Sequence, residues 1–138
     1  MTIGVSIGDP NGIGPEVVLK AFADFELLKV CTPIIYARFD FMRQQAKYFD
    51  LELPMERMID QPKQGVLNVV DCWAETFQPK YGEVDAKAGE LSSISFVAAT
   101  EALQKGQTNA LVTAPINKAA IQSDERSLLG QDPNWFFL

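Results

Sequence analysis

Two short segments of this sequence carry residue types that could do chemistry. The first is Gly8-Asp9-Pro10-Asn11-Gly12-Ile13-Gly14, which follows an apolar stretch and precedes Pro15-Glu16. A glycine-rich turn ahead of a helix can aim backbone N–H groups and the positive end of the helix at an anion. Asp9, Gly12 and Gly14 are therefore candidate ligand-binding positions, and Asp9 could also ligate a cation. Taken alone, a plainer reading accounts for the turn: it reverses the chain, and Asp9 caps it. It is not the dinucleotide fingerprint, because Gly12-Ile13-Gly14-Pro15-Glu16-Val17 has no third glycine. Nor is it a phosphate-binding P-loop, since no Lys-Ser or Lys-Thr pair follows.

The second segment is Thr113-Ala114-Pro115-Ile116-Asn117-Lys118, at the carboxyl end of an apolar run. Ligands of open α/β sheets collect at that end of the strands. Lys118 could neutralise a phosphate or carboxylate, and Asn117 could orient a hydroxyl or amide. Its plainer reading is a helix start with a solvated lysine. Histidine is absent from all 138 residues. The chain thus has no side chain that titrates near neutrality unperturbed, and it lacks the commonest transition-metal ligand. Any metal would need carboxylates, thiols or a partner chain.

The elements that must position these segments read as strand and helix in alternation. Ile3, Val5 and Ile7 alternate as in a strand, and a helix is expected from Pro15, with Val18, Leu19 and Phe22 at helical spacing. A second strand is expected over Val30 to Tyr36. A helix over Phe39 to Phe49 follows, with Phe41, Met42, Ala46 and Phe49 apolar. Leu53-Pro54 and Gln61-Pro62 break the chain, Gly65 to Val70 reads as a strand, and Phe77 to Asp85 reads as a loop. Ala86 to Lys105 is the clearest helix, with Leu91, Ile94, Ala98, Ala102 and Leu103 on one face and Gly106 as its left-handed cap. Ala110 to Thr113 is expected to be a short buried strand. The pattern predicts an α/β fold with a parallel sheet.

Composition excludes several classes. Eighteen acidic against twelve basic residues, a net charge of -6, argue against a phosphate-backbone binder, so no nucleic-acid partner is expected. The 47% apolar content excludes a wholly disordered chain. The longest apolar runs, such as Val30 to Ala37, are too short to cross a bilayer. No basic segment precedes an apolar one at Met1-Thr2-Ile3-Gly4-Val5, so a cytoplasmic setting without membrane attachment is expected. Cys31 and Cys72 lie in strand-like segments and read as buried, unpaired thiols without chemistry.

Ile7 to Glu16 resembles the amino-terminal signature of the 4-hydroxythreonine-4-phosphate dehydrogenase family of pyridoxal phosphate biosynthesis. Val112 to Lys118 resembles that family's second signature, at about the same separation. Ala88-Gly89-Glu90 and Ala110-Leu111-Val112 are also similar to family members, and the likeness covers roughly Ile3 to Glu125. The resemblance implies a two-domain α/β architecture, related to isocitrate and isopropylmalate dehydrogenases, of which this chain is part of the amino-terminal portion. It further implies homodimers with active sites between the domains. The implied reaction oxidises the 3-hydroxyl of 4-phosphooxy-threonine with NAD or NADP. The product, 2-amino-3-oxo-4-phosphooxybutanoate, decarboxylates to 3-amino-2-oxopropyl phosphate. A divalent metal held by histidines (zinc, magnesium or cobalt) polarises the hydroxyl and then the ketone, while the nicotinamide takes the hydride.

The sequence departs from the family beyond residue 125. Family members continue from the lysine matching Lys118 to a Gly-His-Thr-Glu segment whose histidine and threonine touch the substrate. Here the stretch reads Leu129-Gly130-Gln131-Asp132-Pro133, with Gln131 and Asp132 at those two positions. Residues 1–125 are thus expected to form a family-like α/β region, incomplete beside the full enzyme, and 126–138 a divergent tail. Family members are more than twice as long and carry their metal-binding histidines in the further part, so the pattern resembles a truncated or frameshifted reading frame. Two expectations follow. The gene product descends from a dehydrogenase, and the 138 residues by themselves bind neither metal nor cofactor and lack activity. The alternative function is a non-catalytic remnant with at most weak anion binding.

Overall fold

A computed structural model describes residues 1–116. Five strands form one sheet: β1 (Thr2–Ser6), β2 (Thr32–Ala37), β3 (Met55–Arg57), β4 (Leu67–Asp71) and β5 (Ala110–Thr113). Their order is β3-β4-β2-β1-β5, and every neighbouring pair is parallel. Four helices complete the described residues: α1 (Gly14–Ala23), α2 (Glu26–Val30), α3 (Phe39–Tyr48) and α4 (Ala86–Gln104). The α/β class with a parallel sheet is as expected.

The side-chain alternation of the strands sorts the core into two layers. Val5, Ile35 and Val69 lie in register across β1, β2 and β4. They pack with Val18, Leu19 and Phe22 of α1, Leu28 of α2, and Phe41, Met42 and Ala46 of α3. On the other face, Ile34 and Tyr36 pack against Ala99 and Ala102 of α4, with Val70 and Leu111 alongside. All six residues of β2 are buried, as a central strand of a doubly covered parallel sheet requires. Asn68 would be costly in such a layer, but its Nδ2 donates to the carbonyls of Pro33 at 3.1 Å and Lys63 at 3.0 Å.

Several expectations need correction. Val30 does not begin a strand: it closes α2, is 68% exposed, and Cys31 makes the switch to extended backbone before β2 starts at Thr32. The strand β3, between the two Pro-containing breaks, was not foreseen; three residues carry too little periodicity to read. β5 was expected to be buried, but it lies at the sheet edge and Val112 is 52% exposed. The buried side of α4 is also wider than the expected stripe. Ser92, Ser93 and Ser95 are buried with Leu91 and Ala102, while Ile94, Ala98 and Leu103 are only half-buried. These small side chains let α4 lie close across β1, β2 and β5. Gly106 does adopt a positive φ of 75° just past the helix end.

Candidate functional site

The glycine-rich turn and the Ala114–Pro115 segment meet at the carboxyl edge of the sheet. β1 and β5 are paired through Ser6 and Thr113, so the chain leaving each strand emerges beside the other. Ala114 N–H donates to the Ser6 carbonyl at 3.0 Å, and Asp9 N–H donates to the Pro115 carbonyl at 2.9 Å. Gly8 makes this approach possible. Its φ is +71°, and a β-carbon there would sit 2.0 Å from the Pro115 oxygen. Gly14 is equally constrained, since a β-carbon would lie 2.0 Å from the Ile7 oxygen where α1 begins.

The turn uses several of its own donors. Asn11 N–H donates to Asp9 Oδ1 at 2.9 Å, and Gly12 N–H donates to the Asp9 carbonyl at 3.0 Å. Asp9 is 8% exposed and its carboxylate caps the turn, the plainer of its two expected roles. At the start of α1 no side chain caps the helix, and Val17 N–H is bonded to the Ile13 carbonyl at 2.8 Å. Glu16 occupies this first turn and pairs with Lys20 at 2.6 Å, which puts a carboxylate where an anion would otherwise be attracted.

A cleft of about 480 Å³ opens beside the turn, lined by Asp9, Asn11, Gly12, Ile13, Gly82, Pro115 and Ile116. Two of the predicted positions, Asp9 and Gly12, therefore line one cleft with Pro115 and Ile116 of the second segment. Gly14 lies just behind, in the first turn of α1. Asn117, Lys118, Gln131 and Asp132 lie outside the described residues. Cationic groups on the neighbouring strand ends are engaged elsewhere. Arg38 donates to the carbonyls of Trp73 and Ala74, and Arg57 Nε pairs with Asp71 at 2.9 Å. Lys87 pairs with Glu75 at 2.9 Å and Glu90 at 3.4 Å; the hydrogen bond to Glu75 chiefly raises its pKa.

Sequence reading missed Asn11 and Ser95. Asn11 is 1% exposed and bonds a loop some seventy positions along the chain. Ser95 Oγ accepts Ile7 N–H at 3.0 Å and donates to the Tyr36 carbonyl, tying α4 to the residue just after β1 and to β2. Nothing in local spacing signals either partner. Three serines within one helix are the only trace, because serine is an indifferent helix former that suits close packing. Cys31 is buried and Cys72 half-buried, and both are free. Burial, with Asp71 adding to it, pushes the Cys72 thiol up to about 12, so it is protonated and unreactive at neutral pH. No helix among the described residues is long and apolar enough to cross a membrane.

A parallel sheet with helices on both faces, and a glycine-shaped cleft at the carboxyl edge of its strands, defines an α/β protein of the open parallel-sheet class. Comparison with known proteins narrows this. The family described as pyridoxal phosphate biosynthetic protein PdxA matches residues 29–133. A 4-hydroxythreonine-4-phosphate dehydrogenase of Bacteroides thetaiotaomicron is 35% identical over 130 residues, 93% of this chain and 36% of that protein. A D-threonate 4-phosphate dehydrogenase of Pectobacterium atrosepticum is 34% identical over 127 residues, 88% of this chain and 39% of that protein. Among solved structures, a 4-hydroxythreonine-4-phosphate dehydrogenase from Burkholderia phymatum superposes with a TM-score of 0.76 at 27% identity, covering 88% of this chain and 38% of its own. A terephthalate 1,2-cis-dihydrodiol dehydrogenase from Burkholderia xenovorans superposes with a TM-score of 0.70 at 31% identity, covering 90% and 37%. The chain belongs to the PdxA family. It spans about two fifths of the length of these relatives or less.

Proposed function

We propose that this chain is the amino-terminal portion of a nicotinamide-dependent dehydrogenase acting on a small phosphorylated hydroxy acid. The observation that carries the proposal is the family match over residues 29–133, and the meeting of the turn after β1 with the segment after β5 at one cleft supports it. The substrate we favour is 4-phosphooxy-threonine, oxidised at its 3-hydroxyl to a β-keto acid that then loses carbon dioxide. Relatives named for D-threonate 4-phosphate supply the second substrate; it carries a hydroxyl where the first carries an amino group. When bound, NAD or NADP accepts the hydride. Within these residues the turn shapes the floor of the cleft and Asp9 keeps the turn closed, with Asn117 and Lys118 as the proposed contacts to the substrate's polar groups. Homodimer formation and a cytoplasmic setting belong to the same proposal.

The metal expected from the resemblance does not fit the donors in this chain. There is no histidine in 138 residues, and among the described residues no three of Cys, Asp and Glu gather as a metal would require. The 138 residues by themselves are expected to leave NAD and NADP unreduced with either phosphorylated acid, with or without added zinc, magnesium or cobalt. Absorbance at the nicotinamide band reports this directly. Turnover above background would show that the residues present suffice for catalysis and would overturn the inactive reading. The remnant reading predicts weak phosphate binding that fades with salt and is reduced in Lys118→Ala.

A further inference from the structure

Asn11 sits fully buried in the glycine-rich turn, yet three of its bonds converge on one distant tetrapeptide. Its Oδ1 accepts Lys80 N–H at 2.8 Å. Its backbone carbonyl accepts Gly82 N–H at 2.9 Å. Its Nδ2 donates to the Glu83 carbonyl at 3.4 Å. Lys80-Tyr81-Gly82-Glu83 is itself a turn, closed by Glu83 N–H on the Lys80 carbonyl at 3.0 Å, with Gly82 at a φ of +80°. A positive φ at that third position is what a type II turn demands, and glycine supplies it without a steric cost.

The same turn is gripped from α3. The Tyr81 ring stacks on Tyr48 at 5.3 Å between centroids, and its hydroxyl donates to Gln45 Oε1 at 3.1 Å. Gln45 is itself buried. An amide side chain is well suited to the Asn11 position, because one group offers both an acceptor and a donor to the polar backbone of a turn. Gly82 lines the cleft with Asp9, Gly12, Ile13, Pro115 and Ile116. A β-carbon at Gly82 would meet nothing within 4 Å, so this wall faces open space.

We propose that Asn11 is a positioning residue that holds the 80–83 turn as one wall of the cleft, and so sets the space a cofactor or substrate enters. This rests on reading that edge as the ligand cleft, but its test does not require a ligand. In amide hydrogen exchange of the 138-residue chain, Asn11→Ala should speed exchange at both Lys80 and Gly82 by about tenfold, leaving Ile35 in β2 unchanged. Gly82 is the informative position, because its own acceptor is a backbone carbonyl that the substitution keeps. Asn11→Asp retains the acceptor facing Lys80 but loses the donor to the Glu83 carbonyl, so it should restore only part of the protection, more at Lys80 than at Gly82. Faster exchange at Lys80 alone, or an equal loss at Ile35, would overturn the proposal.

Should Asn11→Ala fail to fold, Gly82→Ala probes the same coupling from the other side. It strains the turn at positive φ and should shift the Asn11 side-chain amide resonance while leaving Ile35 in place. An unmoved Asn11 amide would overturn the proposal equally. Titration with NAD separates the two readings. Shifts at Gly12 and Gly82 in the natural chain, with Gly82 silenced in Asn11→Ala, support both. Shifts in neither chain count against the cofactor reading, while the exchange result still decides the role of Asn11.

Discussion

Gly8 and Gly65 both hold positive φ, +71° and +81°, but their surroundings differ. At Gly65 a β-carbon would meet nothing within 4 Å, whereas at Gly8 it would strike the Pro115 carbonyl. Gly65→Ala should therefore cost only the left-handed penalty, about 1 kcal/mol. Gly8→Ala adds a backbone collision at the junction of β1 and β5 and should cost about 3 kcal/mol. Urea midpoints at constant m-value measure both, and equal costs would contradict the reading of Gly8. Three titrating groups are shifted the same way. Burial raises Tyr36 and takes Cys72 from 9.0 to about 12, and the hydrogen bond to Glu75 raises Lys87. Each folded group binds its proton more tightly than the unfolded one, so its contribution is present below the unfolded pKa and is lost as pH rises through the folded value. The melting temperature should accordingly fall between pH 9 and pH 12, and Cys72→Ala should flatten part of that fall. A melting temperature constant over that window would refute the assignment.

At the scale of the element, α4 shows how one buried serine can matter and its neighbour not. Ser95 satisfies Ile7 N–H, just past the end of β1, and the Tyr36 carbonyl in β2, both buried. Ser93 is 0% exposed, and its hydroxyl has no hydrogen-bond partner among the described residues. Ser95→Ala leaves buried backbone groups unpaired and should cost about 2 kcal/mol. Ser93→Ala removes only an unsatisfied hydroxyl and should be neutral or stabilising by about 0.5 kcal/mol. The start of the same helix is capped by Asp85, whose side chain accepts Lys87 N–H at 3.0 Å. Asp85→Ala should cost about 1 kcal/mol. Chemical denaturation of the three variants orders them, and a Ser93→Ala chain less stable than Ser95→Ala would invert the account.

Across the molecule the two edges of the sheet are unequal. β3 at one edge carries charged, exposed Glu56 and Arg57, paired with Lys63 and Asp71. β5 at the other carries Val112, which points to the same face as Val5 yet is half exposed. An apolar, uncharged edge strand invites pairing with another chain. The 138-residue chain should self-associate as concentration rises, and Val112→Lys should reduce that association by placing a charge on the edge. Sedimentation velocity over a hundredfold range, about 1 to 100 μM, tests this in a window where weak protein association is measurable. A natural chain that stays monomeric throughout would contradict it.

Much of this was legible beforehand. Alternation in Ile3-Gly4-Val5, the Gly-Pro start of α1, and the long helix ended by Gly106 are local signals, governed by backbone sterics and side-chain period, and they survived folding with shifts of a residue or two. The two motif segments could be recognised for the same reason, since each is a contiguous run. Strand order was not legible. β5 reads like any buried strand, and only the pairing of the whole sheet sends it to an edge. The roles of Asn11 and Ser95 were hidden likewise, because their partners lie 59 to 88 positions away. Hydrogen bonds over such separations exist only once the sheet has brought its carboxyl ends together. Sequence by itself determined the longer, periodic elements, the family motifs and the lack of histidine. Tertiary structure alone decided which strand lies open, which donors are spent, and which loop forms the wall of the cleft, because those depend on close approach between segments that no local pattern encodes.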